Sequence, residues 1–165
     1  MSGPAAPTVL VHLENPSPRA RSVFQHLVQG LLGWSMREVE DPILFRDAAG
    51  PKLHYGGDEV SSALCLEACG ILNKHGVRPW RLEKVEQDDL PVILLDGVLD
   101  LPGAIFWLLS LYDELLPGTR DAHGRLPSSS RTVFKLALEH TPIVDRWALD
   151  LARRMRERWP ALPAP

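Results

Sequence analysis

Thr8-Val9-Leu10-Val11-His12-Leu13 is a short run of β-forming, mostly apolar residues, and it is followed almost at once by Ser17-Pro18. A serine followed by a proline is a helix cap with a first-turn proline, whose missing N–H costs nothing at that position. Behind it Val23, Phe24, Leu27, Val28, Leu31 and Leu32 recur at helical spacing, and Gly33 supplies a stop. A strand that feeds straight into an amphipathic helix is the first half of an α/β unit, and this opening constrains the fold more than any other feature of the chain. It also excludes one function. Asn15-Pro16-Ser17-Pro18 stands where a glycine-rich phosphate loop would lie, and its prolines lack the N–H donors such a loop needs.

Residues 36–72 are cut into short segments by Asp41-Pro42, Gly50-Pro51 and Gly56-Gly57-Asp58. The pieces 37–40, 43–46, 52–55 and 63–69 read as short strands, at least some of them antiparallel. Residues 82–85 read as a further strand. Val92-Ile93-Leu94-Leu95, ending at Asp96-Gly97, has the continuous apolar character of a buried one. The acidic pair Asp88-Asp89 reads as a solvated turn before it. Residues 101–116 predict a mostly buried helix carrying Ile105, Phe106, Leu108, Leu109, Tyr112, Leu115 and Leu116, stopped by Pro117-Gly118. This helix is expected to be the central one, packed on the sheet that holds residues 92–95, with Phe106 and Leu109 in the core. A last helix begins at Thr141-Pro142. It has a stripe of Val144, Trp147, Ala148, Leu151 and Met155, an Asp150–Arg154 pair at i,i+4, and arginines near its C-terminus. The whole predicts one α/β domain over residues 1–159, a mixed β-sheet with packed helices in a Rossmann-like three-layer or two-layer sandwich. The proline-rich residues 160–165 read as a linker or tail.

Composition narrows the function. With 165 residues, 45% apolar and 24% charged, the chain can bury a core without disulfides; a domain of this size hides roughly 70% of its unfolded surface. A net charge of −3 gives no electrostatic case for nucleic acid. There is no apolar run long enough for a transmembrane helix, and the N-terminus lacks the basic start and long apolar stretch of a signal peptide, so a cytoplasmic location is expected. Cys65 and Cys69 form a C-x3-C pair in an apolar segment, where thiols behave as small hydrophobes. None of the six histidines is spaced to present a pair on one helix face; His12 and His26 read as surface or satisfied core residues. No metal and no cofactor are expected.

The richest polar stretch is Tyr112-Asp113-Glu114, then Arg120-Asp121-Ala122-His123-Gly124-Arg125-Leu126-Pro127, then Ser128 to Arg131. A hydrolase can be drawn from it, with a serine as nucleophile, His123 as base and Asp121 as orienter. Against this, no G-x-S-x-G turn exists anywhere in the chain, and two loop residues two positions apart do not fix a hydrogen bond to each other. The plainer reading is a loop pinned by arginine–carboxylate pairs. Its outward side chains then face a partner or ligand, and no residue is assigned a catalytic role. The candidates for that face are Asp113, Glu114, Arg120, Asp121, His123 and Arg125. Arg125, between Gly124 and Pro127, is expected to be the structural anchor, and His123 the exposed member.

In order, the chain reads GPKLHYG, LPGAIFWLLSLYDELLP, RDAHGRLP, FKLALEHTPIVDRWALDL and RWP. This set resembles the domain that precedes the catalytic domain in bacterial polysaccharide-deacetylase-like proteins. The resemblance spans residues 34–160 and is densest over 101–151. Leu126 stands where that family tends to have phenylalanine. The resemblance implies an accessory domain, because the metal-dependent deacetylation belongs to a following barrel with an Asp-Asp motif and a paired-histidine site, and this chain has neither in a usable context. The implied partner is a deacetylase-like domain or another protein, with carbohydrate as a possible ligand and neither nucleic acid nor membrane. Two alternatives stand beside it: an autonomous protein-interaction module of a bacterial gene cluster, and a small hydrolase with its site in residues 113–131.

Overall fold

Val9–Leu13 (β1) is buried at every position, as a central strand with covered faces must be. In the computed structural model, which describes residues 7–165, β1 lies inside a four-stranded sheet. The other strands are Met36–Glu38 (β2), Lys52–Tyr55 (β3) and Leu64–Leu66 (β4), in the order β2-β1-β3-β4. All three pairings are parallel, so the antiparallel pairing expected within residues 36–72 is corrected. The helix Pro18–Gln25 (α1), continued as a π-helix over His26–Leu31, connects β1 to β2. Ser17 caps it, its hydroxyl accepting from Ala20 N at 3.0 Å and donating to Leu72 O. Gly33 stops the helix at φ +65°.

Residues 43–46, expected as a strand, belong instead to the helix Pro42–Asp47 (α2). Asp41 Oδ1 accepts from Ile43 N at 2.8 Å and Leu44 N at 3.1 Å, and this cap decides the conformation over the β-forming content of Ile43 and Phe45. Only Phe45 of the helix is buried. Lys52 then closes the far end of α2 by donating to the carbonyls of Phe45, Arg46 and Ala48 at 3.3, 2.9 and 2.6 Å.

Leu82–Gln87 (β5) and Leu90–Leu95 (β6) form a separate antiparallel hairpin. The expected mixed sheet is thus a parallel sheet plus a two-stranded one, in a single α/β domain. Asp88 and Asp89 are the two residues of the hairpin turn, both left-handed at φ 51° and 61°, a conformation aspartate tolerates better than most residues.

The helix Leu101–Leu109 (α3) ends seven residues before its expected boundary at 116. Leu111 adopts φ 52°, and a 3-10 turn, Tyr112–Leu115, follows. The break lets Tyr112 turn into the core, where it is 1% exposed and its hydroxyl bonds the backbone of Arg78. α3 packs between α1 and β6 and buries Ala104, Ile105 and Trp107. Phe106 is half-buried and Leu109 is 52% exposed, so the core residue of this helix is Trp107 and not Leu109.

Ser128–Ser130 forms a 3-10 turn, Thr132–Lys135 a short helix (α4), and Ile143–Arg158 the long last helix (α5). Trp147, Ala148, Leu151 and Met155 are buried as the stripe predicts. Thr141-Pro142 reads in sequence as a cap with a first-turn proline, but no side chain caps the start of α5. Arg153, not Arg154, pairs with Asp150, at 2.7 Å, and also with Glu157. The segment after α5 folds back on the domain. Leu162 is 2% exposed, and Trp34 Nε1 donates to Pro163 O at 3.1 Å.

Candidate functional site

The segment that follows α3 is built around three carboxylates. Asp113 accepts from Thr132 N at 2.9 Å and from Thr132 Oγ1 at 2.8 Å, closing the first turn of α4. The same threonine hydroxyl accepts from Trp107 Nε1 at 2.9 Å. A chain of bonds therefore runs from the core indole to the Asp113 carboxylate, and satisfies the buried N–H that a tryptophan brings into a core. Trp107 also packs against Tyr112, the rings tilted by 32° with centroids 4.4 Å apart.

Glu114 lies between two arginines. Its Oε2 is 2.8 Å from Arg120 Nη1 and its Oε1 is 2.8 Å from Arg131 Nη2. Arg120 further donates to the carbonyls of Glu114 and Leu116 at 2.8 and 3.0 Å. These three side chains are about two-thirds to three-quarters covered, so the charge-assisted bonds are partly shielded from water and worth more than exposed pairs. Glu114 thus ties the start of the segment to its end across 17 residues.

Asp121 organises a smaller unit. Its Oδ1 accepts from His123 N at 2.8 Å and Arg125 N at 2.9 Å, and its Oδ2 accepts from Arg125 Nε at 3.1 Å. The Arg125 N–H above all, with the His123 N–H and the Arg125 guanidinium, holds the Asp121 carboxyl below the usual carboxylate range. Gly124 completes this turn at φ +74°.

The structure therefore brings Asp113, Glu114 and Arg120 into one network and places Asp121, His123 and Arg125 in another. The anchor expected at Arg125 is elsewhere. Its side chain is 69% exposed and its ion pair stays within the turn, whereas Arg120 and Arg131 make the pins that cross the segment. His123 is exposed, and it is its backbone N–H rather than its ring that bonds Asp121, which is not the geometry of a base held by an acid. Arg131 and Thr132 are the residues that sequence reasoning missed; nothing local marks them, because their partners are far away in the chain.

A second polar cluster lies inside the fold. Asp100 is fully buried and caps α3. Its carboxylate accepts from Gly103 N at 2.7 Å, Cys69 N at 2.9 Å and Tyr55 Oη at 2.9 Å. Burial pushes the Asp100 carboxyl and the Tyr55 hydroxyl above their usual values and raises the Cys69 thiol to about 12. A thiol so held is a poor nucleophile at neutral pH. A Cβ on Gly103 would sit 2.6 Å from the Asp100 carboxylate and from Ile71, so glycine is required where the helix meets its cap. This cluster joins β3, the chain after β4 and α3, and reads as a structural joint.

Two histidines stack in the parallel sheet. His12 and His54 have centroids 5.3 Å apart and an interplanar angle of 9°. His12 Nδ1 is 2.8 Å from Val39 O. His54 is buried with neither ring nitrogen bonded, and burial lowers its pKa. Among the described residues no group of three or more His, Cys, Asp or Glu side chains is placed to hold a metal ion, and no helix is long and apolar enough to cross a membrane.

Around the start of the Glu114 network, Leu109, Leu111 and Leu115 are 52%, 53% and 57% exposed. Comparison with known proteins finds one match. The sequence profile described as a family of unknown function, DUF7033, covers residues 9–160. Neither the curated proteins nor the solved structures yield a match to the chain.

Proposed function

The chain belongs to DUF7033, a family of unknown function, and from that premise we propose that it is a non-catalytic accessory domain. It packs against a polysaccharide-deacetylase-like domain, or positions carbohydrate for one. The observation that carries this reading is the use of the acids. Asp113, Glu114 and Asp121 are each bonded to an arginine or to a backbone N–H of the fold. A general acid or base needs a free position toward substrate, and these carboxylates spend their acceptor sites on the loop that carries them.

The order of motifs from GPKLHYG to RWP supports the deacetylase association, since it resembles the accessory domain of those proteins. The exposed Leu109, Leu111 and Leu115 supply an apolar contact for a packed neighbour, and the outward Arg125 and His123 are free to supply polar ones.

The test mixes the purified chain with a polysaccharide-deacetylase-like domain from the same genome and follows complex formation by size-exclusion chromatography. A complex is expected, and the double variant Leu109→Lys/Leu115→Lys should abolish it. Acetate release from acetylated chitooligosaccharides or acetylated xylan by this chain alone, lost on chelation, overturns the reading; so does failure to bind the deacetylase-like domain.

A further inference from the structure

The chain after β4 folds over the start of α1. Arg19 donates to Ile71 O at 3.2 Å and to Gly76 O at 2.9 Å, fixing the turn 71–76. Between this turn and the residues that follow it lies a cleft of about 130 Å³, walled by Arg19, Lys74, His75, Arg78, Trp80 and Tyr112. No carboxylate lines it. Arg78 is paired with Asp96 at 2.9 Å, outside the cleft wall. Arg19 is bonded only to carbonyls, and Lys74 makes no ion pair among the described residues.

Trp80 gives a second, independent sign. It is 8% exposed, and its Nε1–H is buried without an acceptor. A buried donor left unbonded costs free energy, and a partner supplied from outside would recover it. The face of the same indole is covered by the Arg78 guanidinium at 3.4 Å from the ring centroid, with the Lys74 ammonium 6.0 Å away. The larger cleft between the β5–β6 hairpin and α5, about 320 Å³, lacks this imbalance, because Asp150 and Glu157 neutralise its Arg153.

We infer that the cleft binds a phosphate-sized oxyanion, free or as a phosphate ester. Arg19 and Lys74 supply the opposing charge, the His75 ring stands beside them on the cleft wall, and Trp80, which also lines the cleft, carries a buried N–H without an acceptor. Arginine and lysine beside each other suit a tetrahedral anion, the guanidinium giving fixed parallel donors and the ammonium a mobile point charge. The cleft volume has room for one such group. In a chain of net charge −3 the site draws anions by its local charge alone, so its affinity weakens as salt screens it.

Isothermal titration of the full chain with inorganic phosphate, glucose 1-phosphate and glucose tests the inference. Both anions should bind at a single saturable site and glucose should not. The indole N–H resonance of Trp80, assigned by its loss in Trp80→Phe, should shift with the same isotherm. The variant Lys74→Ala/His75→Ala lies on an exposed turn and leaves the core intact; it should bind at least about tenfold more weakly, as loss of the lysine's charge-assisted contact together with the imidazole predicts. Arg146→Ala, on exposed α5, should bind as the unaltered chain does. Tighter binding of the sugar phosphate identifies an ester as the ligand, and equal binding identifies the phosphate group alone. No saturation by either anion at about 10 mM, well above a millimolar dissociation constant, or equal affinity in the double variant, overturns the inference.

Discussion

The segment from Asp113 to Arg131 and the cleft walled by Arg19, Lys74 and His75 are both rich in charge, and they use it in opposite ways. In the first, acids and bases alternate, and Glu114 holds Arg120 and Arg131 while Asp113 closes α4. In the second, cations meet with no acid among them, and an indole N–H is left without an acceptor. The richer stretch is thus spent on the fold, and the poorer one keeps unsatisfied groups. What separates a binding surface from a structural one is the charge left over after the fold has taken its share, and that quantity is invisible in composition.

The sharpest way to break the comparison is to remove the core end of the first network. Trp107→Ala deletes a 2%-exposed indole, its packing against Tyr112 and its bond to Thr132. It should cost about 3–5 kcal/mol in urea denaturation, as large-to-small changes of buried aromatics do; a loss below about 1 kcal/mol would detach the segment from the core. Next in size is Glu114→Ala, which leaves two partly buried arginines unpaired. A loss of about 2 kcal/mol is expected, seen as a fall of roughly 4–8 °C in the melting midpoint. The same change should leave phosphate binding in the Lys74 cleft untouched, and a loss of that binding would show that the two regions are one site.

The Asp121 turn should respond to acid. Its folded carboxyl is held below the ordinary carboxylate value, so its contribution to stability is full above that ordinary value and is lost as the pH falls through the lowered one. Asp121→Asn should therefore destabilise at neutral pH and converge with the unaltered chain in acid. A difference that grows as the pH falls would reverse the assignment. Smallest are Arg125→Ala, His123→Ala and Leu109→Ala. All three side chains face water, and each should move the midpoint by less than about 2 °C in the isolated domain. A larger fall at Arg125 would restore it as the anchor.

The first strand, the capped α1, the Asp88-Asp89 turn and the buried stripe of α5 were legible because each is fixed by residues close in sequence. The direction of the short strands was not: β2 and β4 have three residues each, too few to show a pattern, and parallel pairing is set by which partners lie beside them. The early end of α3 was hidden for a related reason. Nothing in Leu111 announces a left-handed residue, and the turn is explained only by where the Tyr112 hydroxyl finds the Arg78 backbone. For the site, the neutralisation of arginines by Glu114 and Asp121 could be anticipated from their proximity. The identity of the crossing partner, Arg131, could not, because it depends on how the intervening loop closes.

The central claim is that the carboxylates of this segment serve the fold, and a double-mutant cycle on Glu114 and Arg131 tests it most directly. Urea denaturation of the unaltered chain, Glu114→Ala, Arg131→Ala and the double variant measures the coupling between the two side chains, free of their separate contacts. The account predicts a coupling of about 1 kcal/mol or more, with the double variant less damaged than the two single losses summed. Strict additivity of the two losses would contradict it, since Glu114 would then not tie the two ends of the segment together.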